Sequence, residues 1–355
     1  RQRRYSIMAT SSWNAGIIRP VPVPPAGPLE TGAAPGVWTI DQATFWIKQG
    51  LWPTAGNVPI GLFFGGYLST GGSKVTTISS LNLSSAGNAG TFGNLTVGVE
   101  RPAGAGSTTR ALFMGGNGPS TSDTSVIGYA TFATTGTASS FGSLTVARAY
   151  SGGLSSSTRG LCCGGALAGV GRTNVIDYVT IASTGNAISF GALISAVQDN
   201  AACASPTRGL IAGGFTTGVY SNVIEYVTIA TTGNSTDFGD LITDVDALSS
   251  ASNATRGLFA AGRNGSGDNN IISYVTIATT GNATDFGDLA RDVYGNTACA
   301  SSTIGFFALG YDATFAFLNT ISQVTIATTG NSTSWGQLSS GGYYQGSCSN
   351  GHGGI

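Results

Sequence analysis

Residues 201–241 read AACASPTRGLIAGGFTTGVYSNVIEYVTIATTGNSTDFGDL, and this stretch decides the fold. It holds four strand signals: small residues over 201–205, an apolar run over 210–212, the alternating VIEYVTIA over 223–230, and an aromatic-anchored segment over 236–241. β-Branched and aromatic residues favour strands, while the Gly-, Pro- and Ser/Thr-rich intervals favour turns. Gly233-Asn234, between the third and fourth segments, supplies the positive φ expected of a tight hairpin turn. No helical period interrupts the pattern.

The same unit recurs along the chain. Phe-Gly or Trp-Gly stands at Phe92, Phe141, Phe190, Phe238, Phe286 and Trp335, at spacings of 49, 49, 48, 48 and 49 residues. The apolar run returns as GLFFGG from Gly61, ALFMGG from Ala111, GLCCGG from Gly160, GLIAGG from Gly209, GLFAAG from Gly257 and GFFALG from Gly305. The turn glycine returns at Gly87, Gly136, Gly185, Gly233, Gly281 and Gly330. Three anchors sharing one period and one count of six point to an all-β, six-bladed β-propeller with four antiparallel strands per blade. Gly354 lies 49 residues after Gly305, so the sequence stops one strand into a further unit. Tyr343–Ser349 is therefore expected to supply the inner strand of the blade whose outer strands lie in 61–95, closing the ring without an open edge.

Gly-Gly after a strand, then Tyr129, Tyr178, Tyr226 or Tyr274, then Phe141, Phe190, Phe238 or Phe286, resembles the kelch repeat over residues 61–355. This chain departs from it in carrying mostly Phe for Trp. Gly-Gly also becomes Ala261-Gly262 and Leu309-Gly310, and the first and last copies lack the Tyr.

Composition narrows the chemistry. Only 9% of the 355 residues are charged and the net charge is −1, so no broad field draws nucleic acid or an anionic membrane. No stretch approaches the roughly 18 apolar residues of a membrane span. With one histidine, His352, and five cysteines without a C-x-x-C pair, no metal site or cofactor is expected. Cys162, Cys163, Cys203, Cys299 and Cys348 read as free core thiols of a protein assembled in a reducing cytoplasm. The kelch resemblance also brings galactose-oxidase-like chemistry to mind, but that requires two copper-binding histidines.

Arg110, Arg159, Arg208 and Arg256 recur at one repeat position, with Ile60 and Ile304 at the other two. They form either an arc for an acidic glycan or phosphate, held bidentately, or a framework bonding neighbouring carbonyls and carboxylates. Asp237 with Asp240, and Asp285 with Asp288, could be hydrolytic or Ca²⁺-binding carboxylates, or simply solvated turn residues. Glu225 has Asp177 as its counterpart one blade earlier, which marks a repeat position rather than a catalytic one.

The repeats differ most in their loops. S-T-R-G and T-T-G-N, the one-to-two and three-to-four connections, are monotonous and share one face. The two-to-three loops and blade crossovers diversify on the other face, as recognition loops on a rigid scaffold do. Tyr67, Tyr150, Tyr220, Tyr294, Tyr311, Phe315 and Phe317 are its exposed candidates for binding sugar or protein.

Residues 1–60 hold eight of the eleven prolines and read as an extended anchoring arm. A short helix is expected over about 41–49, and Trp38, Phe45, Trp46 and Trp52 offer an aromatic surface to dock on the propeller or a partner. The run PGVWT…QGLWP, followed by T-R-G and T-I-A-T-T-G-N repeats, resembles structural proteins of tailed bacteriophages, marine cyanophages in particular. The resemblance implies a non-enzymatic virion protein, present in several copies, anchored to tail or capsid proteins through residues 1–60 and displaying the propeller to a host-surface glycan or protein. The alternatives are a capsid or tail decoration protein without a receptor role, and a surface-glycan hydrolase.

Overall fold

A strand built only of small and apolar residues has no face to offer water, so each GLFF-type run must sit between two neighbours. The computed structural model describes residues 58–355 apart from 69–72, 120, 121, 309, 313 and 315. The expected helix at 41–49, Trp38, Phe45, Trp46 and Trp52, and Phe315 lie outside the described residues. Six antiparallel four-stranded blades surround an axis. Blade one joins Gly346–Ser349 to Ile60–Phe64, Thr77–Asn82 and Gly90–Asn94. Blade two is Ala103–Gly106, Arg110–Met114, Val126–Thr131 and Ser139–Ser143. Blade three is Gly152–Ser155, Arg159–Cys163, Val175–Thr180 and Ile188–Ala192. Blade four is Ala201–Ala204, Arg208–Ala212, Val223–Thr228 and Thr236–Asp240. Blade five is Ser249–Ser252, Arg256–Asn264, Gly267–Thr276 and Thr284–Tyr294, and blade six is Thr297–Ala300, Ile304–Ala308, Thr320–Thr325 and Thr333–Gln337.

Ring closure follows the sequence expectation. Gly61, Leu62, Phe63 and Phe64 pair with Ser349, Cys348, Ser347 and Gly346. The closing inner strand is shorter than 343–349, because Tyr343 instead pairs with Tyr67 in a separate ribbon.

Hydrophobic clusters fill the six gaps between blades rather than one central core. Leu62, Phe64, Ile78 and Phe92 of blade one meet Ala111, Phe113, Ala130 and Phe132 of blade two, and the motif repeats around the ring. Successive side chains on a strand point to opposite faces, so Phe64 packs toward blade two and Phe63 toward blade six. Each fully buried Phe contributes roughly 2–3 kcal/mol.

The anchors read from the sequence are the blade joints. A Cβ at Gly61 would collide with the sulfur of Cys299, and one at Gly257 would crowd that of Cys203, on the preceding blade's inner strand. The Phe-Gly pair carries a β-bulge: Ile224 faces Gly239 while Glu225 faces Asp237, leaving Phe238 as the extra residue that turns into the core. In the same joint the turn glycine of the next blade donates to the Phe carbonyl, as Gly281 does to Phe238 at 2.8 Å. Asn282 Oδ1 accepts from Asp240 N at 3.1 Å. The Gly-Asn pair thus joins blades rather than building a left-handed hairpin turn. Only Gly136, Gly281 and Gly330 of the six turn glycines have positive φ, at 152–153°.

Around the axis, alternate blades end their inner strands in serine. Ser155, Ser252 and Ser349 donate to the carbonyls of Gly106, Ala204 and Ala300 on the preceding blade, at 2.8, 2.8 and 2.6 Å. These bonds satisfy inner-edge carbonyls that no further strand can reach. Blade five departs from the others. Its second and third strands run on into a hairpin around Gly265-Ser266, and its last strand is long enough for Tyr311–Asp312 to pair with Val293–Tyr294 as a fifth strand.

Candidate functional site

On the uniform face the arginines staple blades together. Nη1 of Arg110, Arg159, Arg208 and Arg256 donates to the carbonyls of Ile181, Ile229, Ile277 and Ile326 in the next blade, at 2.9, 2.9, 2.8 and 3.1 Å. Their guanidinium carbons stand 4.4–4.7 Å from the ring centroids of Tyr129, Tyr178, Tyr226 and Tyr274, a cation–π geometry. Each Tyr meets the Phe of its own blade edge-on at 5.8–6.1 Å. The four cations are therefore distributed around the rim, each held by its own partners, and do not converge on one point.

The carboxylates are spread in the same way. Asp177 accepts from Thr145 N at 3.0 Å and pairs with Arg148 at 2.8 Å, both side chains 0% exposed. Glu225, at the equivalent register, accepts from Ile194 N at 3.0 Å and from Ser235 Oγ, and burial pushes its carboxyl up. Both tie one blade to the previous one. Asp237, Asp240, Asp285 and Asp288 lie on outer strands, and among the described residues no three His, Cys, Asp or Glu side chains converge as metal ligands. The five cysteines are buried and free, and burial pushes Cys203 up to about 12.

The diversified face is built differently. Arg101, Tyr150, Asp199, Ala247, Gly295 and Tyr344 occupy equivalent crossover positions at spacings of 49, 49, 48, 48 and 49 residues, and all six have φ between 52° and 64°. Each donates its N–H to the carbonyl of the one before: Tyr150 to Arg101, Asp199 to Tyr150, Ala247 to Asp199, Gly295 to Ala247, Tyr344 to Gly295 and Arg101 to Tyr344, over 2.8–3.2 Å. The result is a closed girdle of six hydrogen bonds around the mouth of the axis. Left-handed backbone costs a residue with a Cβ roughly 1–2 kcal/mol, and five of the six have one. Such strain concentrates at functional sites, where surrounding structure holds it in place.

Side chains line the mouth. The Arg101 guanidinium lies 3.8 Å from the Tyr150 ring centroid and 3.3 Å from that of Tyr344, and it pairs with Asp199 at 3.1 Å. Next to this pair Arg263 holds Asp246 at 3.3 Å and covers the Tyr294 ring at 4.7 Å. Burial, with the Asp199 charge beside it, pushes Asp246 up to about 6. Just inside, Asn200 Oδ1, Asn296 Oδ1 and Gln345 Oε1 are buried without a hydrogen-bond partner, each at a cost of about 1–3 kcal/mol.

Beside the mouth the predicted aromatics form one surface. Tyr343 stands 5.7 Å from Tyr67, 6.4 Å from Tyr294, 5.6 Å from Tyr311, 5.5 Å from Phe317 and 4.4 Å from Tyr344. Tyr220 stands apart from this cluster, edge-on to Phe215 at 5.1 Å. All the described candidates are half-buried in such contacts rather than fully exposed. Sequence reasoning missed the centre of this arrangement: Arg101, Asp199, Asp246, Arg263, Tyr343 and Tyr344. The common 49-residue spacing of the crossovers was the signal that could have found most of them.

The other mouth is sealed by Asn350–Ile355. His352 Nε2 donates to Gly106 O at 3.1 Å and lies 3.2 Å from Ser155 Oγ, while Nδ1 accepts from Gly354 N at 3.0 Å. These partners require the neutral imidazole, and burial lowers its pKa in the same direction. Between the two mouths runs a narrow axial cavity of about 60 Å³ lined by the inner strands and His352.

No protein-family model matches this chain and no curated protein matches it. Its six-bladed propeller architecture is therefore established by the structure alone.

Proposed function

We propose that the chain is a non-enzymatic, kelch-like propeller of a phage virion, which recognises a surface glycan or protein of the host through the diversified face and is anchored by residues 1–60. One observation carries this reading: the girdle of left-handed crossover residues, five of them with side chains, frames a mouth of aromatic and guanidinium groups on the face whose loops differ most. A scaffold that served only to stabilise its neighbours would have no use for such varied side chains around one mouth. The kelch-like part rests on the repeated Gly-Gly, Tyr and Phe positions, and the phage part on the PGVWT…QGLWP tract and the repeat wording.

The test is adsorption. Replacing Tyr220, Tyr294 and Tyr311 together by Ala should reduce binding of the particle or the isolated protein to host cells at least tenfold in a protein that still folds. Recognition energy usually concentrates in a few such rings. Unchanged adsorption by a folded triple variant would favour a decoration role, and turnover of host polysaccharide by the wild-type protein would favour a hydrolase.

A further inference from the structure

The mouth of the axis carries a mismatched set of polar atoms. Three acceptors, Asn200 Oδ1, Asn296 Oδ1 and Gln345 Oε1, and one donor, Arg101 Nε, have no partner. Asn200 and Asn296 are each only 7% exposed. Their amide nitrogens are engaged, Asn296 with Ser249 Oγ at 2.7 Å and Asn200 with Cys163 O at 3.4 Å, so the oxygens are the unused ends. All three amide side chains belong to the walls of two adjoining cavities, of about 120 and 90 Å³, just inside the girdle.

Resting on the recognition reading above, we propose that this cavity takes the terminal neutral sugar residue of a surface glycan. A ligand matching the site must present several O–H donors to the amide oxygens and an oxygen acceptor to Arg101 Nε, which is the chemistry of vicinal hydroxyls. It carries no charge. Asp199 already neutralises Arg101, so an anion gains no free cation, and Asp246 beside it repels carboxylate or sulfate. A metal cation would find neutral amides and a guanidinium at 3.3 Å from Tyr344, with no uncommitted carboxylate. The volume admits one ring rather than a chain. The next sugar would emerge over Tyr343, Tyr294 and Tyr311, which adjoin the mouth through Tyr344 and offer flat faces to sugar C–H groups.

The experiment uses the full chain, saturation-transfer NMR and calorimetry with the methyl glycosides of glucose, galactose and mannose, and in parallel the adhesion of labelled protein to host cells. At least one glycoside should bind in the millimolar range, and Asn200→Ala/Asn296→Ala should weaken it at least tenfold. Gln345→Ala, at a half-buried position, should weaken it several-fold and serves as the readout if the double variant does not fold. Three results would overturn the inference: no glycoside bound, binding indifferent to the folded amide variants, or a soaked crystal showing only water or a cation in the cavity. Adhesion to cells retained by folded amide variants would refute the axial subsite and leave the recognition reading standing. A glycoside bound at the axis by a protein that does not adhere to cells would do the reverse.

Discussion

At one end of the axis the ring is sealed by Asn350-Gly351-His352-Gly353-Gly354, through the His352 ring and close backbone approaches. At the other, the side chains of Arg101, Tyr150, Asp199 and Tyr344 line an open mouth. A Cβ on Gly353 or Gly354 would collide with the carbonyl of Asn253 or Ser155, so those two positions of the first end admit only glycine. The girdle tolerates Arg, Tyr, Asp, Ala, Gly and Tyr at one backbone position, so the second end varies freely while its hydrogen-bonded frame stays the same. The difference teaches that holding a frame constant and varying what it carries are separable: one mouth is fixed in both respects, the other in its frame alone.

The harshest way to break the comparison removes both ends at once. Deleting residues 343–355 takes away Tyr344, His352 and the inner strand of blade one, leaving Ile60–Phe64 with an unpaired edge. Aggregation and loss of the folded species are expected by size-exclusion chromatography and thermal melting; a monodisperse, normally melting truncation would refute the closure.

Arg101→Ala leaves Asp199 without its ion partner and strips both Tyr rings of their cation. Breaking such a pair should cost about 2–4 kcal/mol in denaturant unfolding. Arg159→Ala, which loses one carbonyl bond and one cation–π contact on the uniform face, should cost only about 1–2 kcal/mol. Equal losses would show that the mouth is no more committed than the rim.

Acidification should separate the two ends by sign. His352 has a folded pKa below its ordinary 6.5, so its contribution is present above that value and is lost as pH falls through and below it. Asp246, raised from 3.8 to about 6, contributes stability that is present at low pH and lost as pH rises through 6. Between pH 7 and 4, therefore, His352→Gln should flatten a loss of stability, and Asp246→Asn should remove a gain. Melting curves of the two variants sharing the wild-type pH slope would disprove the assignment.

The smallest expected effect is a gain. Ala247→Gly relaxes a residue at φ 52°, and after the entropy glycine adds to the unfolded chain it should stabilise by up to about 1 kcal/mol. Destabilisation would mean that the girdle is not strained at that position.

How much of this was legible depends on whether a position demands one chemistry. Gly61 and Gly257 face a neighbour's sulfur, and Phe238-Gly239 is a bulge that must turn a ring inward beside the next blade's turn. Identical demands in each blade leave identical letters, so the period, the blade count and the closing strand could be read directly. The girdle makes a demand on backbone alone. Its six members share no side-chain property, so only their spacing betrayed them, and Tyr343 and Tyr344 read merely as part of a closing strand. The reason for Gly-Asn was misread for a related cause: a turn and a joint ask for the same two residues.

Ser155, Ser252 and Ser349 stand on every second blade, each bonding to a Gly or Ala neighbour, so at this level the ring is three pairs rather than six equals. An alternating pattern has a parity. It closes on four, six or eight members, but on five or seven it forces two like blades side by side, either two serines in succession or one Gly or Ala carbonyl left without its hydroxyl. Inserting or losing a single repeat would therefore be frustrated at the axis even if the joints at the rim accepted it, and the arithmetic of three small hydroxyls helps to count the blades.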